Sequence, residues 1–266
     1  MKRLRDYFIV SVNVALGEQL VFRSNFIIGV LHVVIRVVLL MALWSALYSD
    51  HDVVGGIDLA TIMLYTVASI IFGIFISSGV EDSITAKIRD GSISIMLTRP
   101  LSYPVAVCVE QLAFTVQNII LRVLPYIAVA WVLGIGAGGS MYFSLALVVS
   151  ILLAYLLMLF FQMSFGMTAF WTMEISGLMQ VRNAMMLVFS GSMIPLWFFP
   201  DWLFGIARFL PFQAIYHTPL SILIGRIEGA DIWEALLIQL IWLIFFFVIS
   251  IVFWGKSRYR VVVNGG

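Results

Sequence analysis

"EDSITAKIRDGSISIMLTRPLS", residues 81–102, holds six charged side chains, a glycine and an Arg-Pro pair. It stands between two long apolar runs, in a chain of 266 residues that is 62% hydrophobic and only 11% charged. A soluble core cannot hide 21 Phe and 8 Trp at this size, and the mean hydropathy is +1.08. Charge-free apolar runs are what a bilayer requires, because about 20 helical residues cross its ~30 Å core. The quoted segment is therefore a loop between membrane helices, and the chain reads as an all-α polytopic membrane protein.

Working outward, hydropathy predicts six transmembrane helices, at about 26–48, 59–80, 105–133, 141–171, 183–199 and 232–254. The third and fourth exceed a perpendicular crossing, so tilt or extension into water is expected. At the start, "MKRLRD" followed by "YFIVSV" imitates a signal peptide, but Asn13, Gly17, Glu18 and Gln19 soon break the run. Residues 5–23 read instead as an interfacial helix. Residues 1–266 then form a single transmembrane domain.

Orientation follows from Lys and Arg. One side collects Lys2, Arg3, Arg5, Arg23, Lys87, Arg89, Arg99, Arg182, Lys256, Arg258 and Arg260; the other has only Arg208 and Arg226, with Asp50, Asp52 and Asp58 in its first loop. Both termini and the loop at 81–104 are therefore expected in the cytoplasm. Before the last span, "PLWFFPDWLFGIARFLPFQAIYHTPLSILIGR", 195–226, is apolar but punctuated by Pro195, Pro200, Pro211 and Pro219. Each proline removes a donor and clashes with the preceding turn, so one continuous helix is forbidden. Half-length pieces dipping into the outer leaflet over 200–231 are expected, with Trp197 and Trp202 at the interface. A seventh span would put the basic tail on the wrong side.

Chemistry is sparse. "GKS" at 255–257 lacks the earlier glycine of a phosphate-binding loop, because Ser250 stands there. "GRIEG" at 225–229 sits beside charge and reads as a turn, not a helix-pairing face. His32, His51 and His217 have no metal-ligand spacing, and Cys108 stands alone. The net charge of +1 contains no basic run of the kind nucleic acid demands. Two cations do stand out. Arg36 lies near mid-bilayer one helical turn from His32, and Arg122 lies deep in the third span near Pro125. Burying an arginine there costs about 2.5 kcal/mol or more, so each needs a partner, water or protein interior. No Asp or Glu lies deep in a span to supply it. His32, Arg36 and Arg122 are candidate pathway or subunit contacts, with helix bonding or snorkelling the plainer alternative.

The ordered pieces "IRDGSISIMLTRPLS", "AFWTMEI" at 169–175, "SGSMIPLWFFPDWL" at 190–203 and "LPFQAIYHTPLSILIGR" at 210–226 carry a resemblance. Over residues 25–255 the chain resembles type-2 ABC exporter permeases, in particular six-span bacterial ones. The resemblance implies a permease subunit that is no enzyme itself. Its ATP and Mg would sit on a separate dimer of cytoplasmic ABC ATPases, and a second permease, alike or distinct, would complete the pathway within the lipid of a bacterial inner membrane. It implies that Glu81 to Ser102 form a coupling region docking on the ATPase, with Glu81, Asp82, Lys87, Arg89, Asp90, Gly91 and Arg99 as its polar residues. It also makes Pro195 to Arg226 an outer re-entrant cap. The residues agree in part: 81–90 read as a short charged helix stopped by Gly91, "SISIML" alternates polar and apolar, and Arg99-Pro100 reads as extended chain. An ion-driven secondary transporter would want midplane carboxylates, and a lipid-acting enzyme a catalytic set; neither is visible.

Overall fold

The computed structural model describes residues 7–12, 23–50, 52–98, 101–132, 134 and 141–257. Four helical rods are long and apolar enough to cross a membrane: Leu59–Arg89, Tyr103–Val132, Leu145–Thr172 and Asp231–Ser257. A further apolar stretch, Val34–Leu47, is part of the helix Arg23–Leu47. The elements in chain order begin with α1 (residues 7–12) and α2 (Arg23–Leu47). A small hairpin follows, β1 (Val53–Val54) paired antiparallel with β2 (Ile57–Asp58). This is the one departure from an all-α chain among the described residues. Its cause is local: β-branched residues flank Gly55-Gly56, whose positive φ values of 62° and 79° suit a two-residue hairpin turn.

Next come α3 (Leu59–Ile76), a break at 77–79, and α4 (Val80–Arg89). Gly91, at φ 76°, ends α4 and hands the chain to α5 (Ile93–Leu97). The alternating "SISIML" is thus a helical turn. Five residues are too few for an alternating pattern to decide anything, and burying Ile93 in a cluster with Ile84 and Met163 outweighs it. Arg99 and Pro100 lie outside the described residues. So do most of the residues expected to form the interfacial helix at 5–23, of which 7–12 are helical.

The third rod is α6 (Tyr103–Asn118), a π-helical turn (Ile119–Val123) and α7 (Leu124–Val132). The wide turn sits directly before Pro125, and the Leu124 N–H reaches back five residues to the Ile119 carbonyl. Proline lacks the N–H that would bond Leu121, and its ring would strike that carbonyl; widening the turn relieves both. α8 (Leu145–Met167) begins at Ser144, whose hydroxyl accepts from the Leu147 N–H at 3.1 Å. It is the central post. Leu157, Phe161 and Met163 are fully buried against α14 (Asp231–Ser257) and α4, while Leu145 and Leu152 face outward. Gly166 lets α4 approach closely, since a Cβ there would stand 3.2 Å from the Glu81 Cα.

Two shorter elements, α9 (Ala169–Thr172) and α10 (Ser176–Phe189), follow. α10 has 14 residues, about 21 Å of helix, shorter than a ~30 Å hydrocarbon core. It starts earlier than hydropathy predicts because the Glu174 carboxylate accepts from the Ile175 and Ser176 N–H groups. It ends at Ser190 and Gly191, the latter at φ 78°.

The four prolines then open four short pieces: a 3₁₀ turn (Leu196–Phe198), α11 (Asp201–Arg208), α12 (Pro211–Ile215) and α13 (His217–Leu223). Pro195 and Pro200 precede their helices, and Pro211 and Pro219 occupy first turns, where a missing N–H costs nothing. All of α12 is buried, on a core of Phe161, Phe212, Ile215 and Phe246. Trp202 is exposed, whereas Trp197 is half-buried. It packs edge-on to Tyr65 at 5.0 Å with the Arg226 guanidinium 4.7 Å from its ring centre. That cation over the indole face explains its inward place.

Candidate functional site

Two constellations concentrate the polar groups of this apolar chain. The first is the end formed by α4 and α5. The inner face of α4 puts Glu81, Ile84 and Thr85 into the protein. There the Glu81 carboxylate meets the Arg182 guanidinium of α10 at 2.8 Å, with both side chains almost wholly buried. One turn on, Lys87 Nζ stands 2.6 Å from Glu110 of α6, and the Tyr7 hydroxyl of α1 donates to the other oxygen of that carboxylate at 2.6 Å. Arg89 reaches Glu174 before α10 at 3.3 Å. Three ion pairs thus tie α4 to three different elements.

The outer face carries Asp82, Ala86, Asp90 and Gly91, all exposed, and continues into Ile95, 62% exposed. The Asp90 carboxylate accepts from the Ser92 N–H at 2.9 Å and the Ser94 hydroxyl donates to the Gly91 carbonyl at 2.7 Å, so the turn is stiffened from within. These bonds from Ser92 also hold the Asp90 carboxyl below its ordinary range. The open face of α4 and α5 thus carries an apolar tip amid charges, on a helix held from behind by ion pairs.

The second constellation is an open cavity of about 510 Å³ between the helices, at whose mouth His32 and Arg36 are exposed. Gly29, His32 and Arg36 of α2 form one wall, and Ser69 and Gly73 of α3 another. Arg122 and Tyr126 enter from the π turn and α7, Asn183 from α10, and Tyr216 from the proline-broken segment. The sequence expectation singled out His32, Arg36 and Arg122 separately; the fold brings them to one chamber. Among the described residues neither arginine joins an ion pair. Among the described residues the lining contains no carboxylate.

Of the expected docking residues, Asp82, Asp90 and Gly91 lie on the open face and Arg89 is exposed but paired. Glu81 and Lys87 face inward and hold α4 in place. Of the four prolines Pro195, Pro211 and Pro219 are buried and Pro200 is exposed. Glu110, Glu174 and Tyr7 were not singled out from sequence. A carboxylate near the start of an apolar helix is the signal that marks Glu110, since such a group must find a cation.

A helical membrane protein with a polar segment tied by ion pairs and an arginine-lined cleft between its helices is consistent with a transporter's membrane component. The comparison with family models agrees: residues 33–262 match the ABC-2 family transporter protein model, and the chain belongs to that family. No curated protein and no solved structure matches the chain.

Proposed function

We propose that this chain is the permease subunit of an ATP-driven exporter, coupled to a separate pair of cytoplasmic ABC ATPases. ATP and Mg belong to that partner, and a second permease, alike or distinct, completes the pathway. In this reading the chain crosses a bacterial inner membrane six times with both termini in the cytoplasm; α2 adds one crossing, and α10 together with the chain after it to Phe199 adds the other. Residues 195–226 are the re-entrant outer cap. Family membership supports the transport role, and the lysine and arginine asymmetry supports the orientation.

One observation carries the coupling role: α4 and α5 present Asp82, Asp90 and Ile95 outward while Glu81, Lys87 and Arg89 anchor the same helix to α10, α6 and the α9–α10 corner. A handle transmits force only when its far side is fixed, and these three pairs fix it. The test is retention of an ATPase by the tagged full chain after gentle solubilisation. Wild type retains it. Ile95→Asp, which places a charge at an apolar tip, lowers retention about ten-fold or more without altering helicity. A wild-type chain that never holds an ATPase, or an Ile95→Asp chain that holds it equally, sinks the reading.

A further inference from the structure

The chamber walled by α2, α3, the π turn and α10 has an occupant whose chemistry can be read from its lining. We propose that it binds the anionic head, phosphate or carboxylate, of an amphipathic molecule; that this is the exporter's cargo rests on the permease reading above.

Four observations converge. First, Arg36 and Arg122 come from helices far apart in sequence, meet in one cavity with His32, and find no carboxylate among the described residues. Two cations sharing a space repel each other unless a negative group stands between them. Second, Arg122 reaches the chamber at the π turn, the place where a regular helix is interrupted.

Third, the hydroxyls of Tyr126 and Tyr216 make no hydrogen bond to any described residue although both side chains line the chamber. Gly73 makes room for one of them, since a Cβ there would stand 3.1 Å from the Tyr216 hydroxyl. With two guanidinium groups they form a donor-rich set suited to the oxygens of a phosphate or carboxylate.

Fourth, the buried and half-buried acids of the described residues are already committed to other cations. Among the described residues no acidic side chain lines the chamber, Glu81 is engaged by Arg182, and Glu110 by Lys87 and Tyr7. The remaining occupants are a small anion, an anionic amphipath or a different membrane chain. The apolar surroundings of the chamber, including Ile70, Ile74 and Leu187, favour the amphipath, whose tails can remain in lipid while its head enters.

The test uses the purified full chain in non-ionic detergent, with dioctanoyl phosphatidate, dioctanoyl phosphatidylcholine and inorganic phosphate as probes. The readout is the rise of the unfolding midpoint with ligand concentration. Phosphatidate is expected to saturate while phosphatidylcholine has no effect. Arg36→Gln and Arg122→Gln each raise the half-saturating concentration about ten-fold or more, whereas Arg36→Lys, Arg122→Lys and the distant Arg208→Gln stay closer to wild type. Saturation by inorganic phosphate as well shows that the head alone is recognised; a response to the lipid only shows that the chains contribute.

Where the glutamine variants do not fold, Gly29→Phe fills the chamber from α2 and must weaken phosphatidate binding equally. Equal responses to both lipids, unaltered binding by the variants, or a distinct membrane chain that co-purifies with wild type and is lost from both arginine variants overturns the proposal. ATPase retention measured on the same preparations separates this outcome from failure of the permease reading.

Discussion

At the scale of single residues, Glu81 and Arg182 decide how α4 sits. Their contact is 2.8 Å and buried, yet Glu81 Oε1 and Arg182 Nε find no partner among the described residues. Desolvating two charges with incomplete hydrogen bonding makes such a pair a weak source of stability and a strong liability when broken. Glu81→Leu or Arg182→Met alone is therefore expected to cost about 3–5 kcal/mol, and the double variant to recover most of it. Denaturant titration of the full chain in detergent measures this cycle; a double variant as unstable as the sum of the two singles contradicts it.

His217 offers a second residue-scale prediction. It is buried beside Trp197, 3.4 Å from the Ser221 hydroxyl. Burial, with Arg226 adding repulsion, pushes its imidazole from 6.5 down to about 4. The unfolded chain then takes up a proton between those values while the folded chain does not, so stability falls as pH drops from about 6.5 toward 4. His217→Gln is expected to flatten that part of the unfolding-midpoint profile. A profile unchanged by the substitution refutes the assignment.

At the scale of elements, the π turn before Pro125 is the most informative distortion. An extra residue in one turn rotates the two halves of the rod relative to each other, which changes the face on which Arg122 and Tyr126 stand. Pro125→Ala restores the missing donor and removes the clash, so the turn is expected to close into α-helix. Amide exchange over residues 119–126 should then slow about ten-fold or more, and the unfolding midpoint should rise. Unchanged exchange would mean that neighbouring helices, not the proline, hold the turn open. α4 illustrates the converse case: its charged face, the Gly91 stop and its length were legible because caps, charges and positive-φ glycines are local signals. α5 was not, because five residues carry too little periodicity and burial of Ile93 decided the outcome. The prolines of 195–226 announced broken helices, yet nothing in their spacing told that α12 would be wholly buried.

For the whole molecule, the amino-acid sequence by itself determined that the chain is a helical membrane protein, where its long apolar rods lie, that the segment 81–91 is a short charged helix, and its likeness to type-2 exporter permeases. The first three follow from transfer free energies and backbone preferences, which add up residue by residue along the chain, whereas the likeness rests on the order of a few motifs. Only the tertiary structure decided that Glu81 is an anchor rather than part of the open face. It alone decided that Glu110 serves Lys87 and Tyr7 together, and that Arg36 and Arg122 share one chamber with two tyrosine hydroxyls. Those facts join residues separated by most of a helix bundle. A lone arginine in a span states that a counter-charge is needed, but which groups converge on it depends on how helices cross and turn. Here that was settled by close approach at Gly166, by the widened turn before Pro125 and by the burial of the proline-broken segment, none of which is a property of any one stretch of sequence.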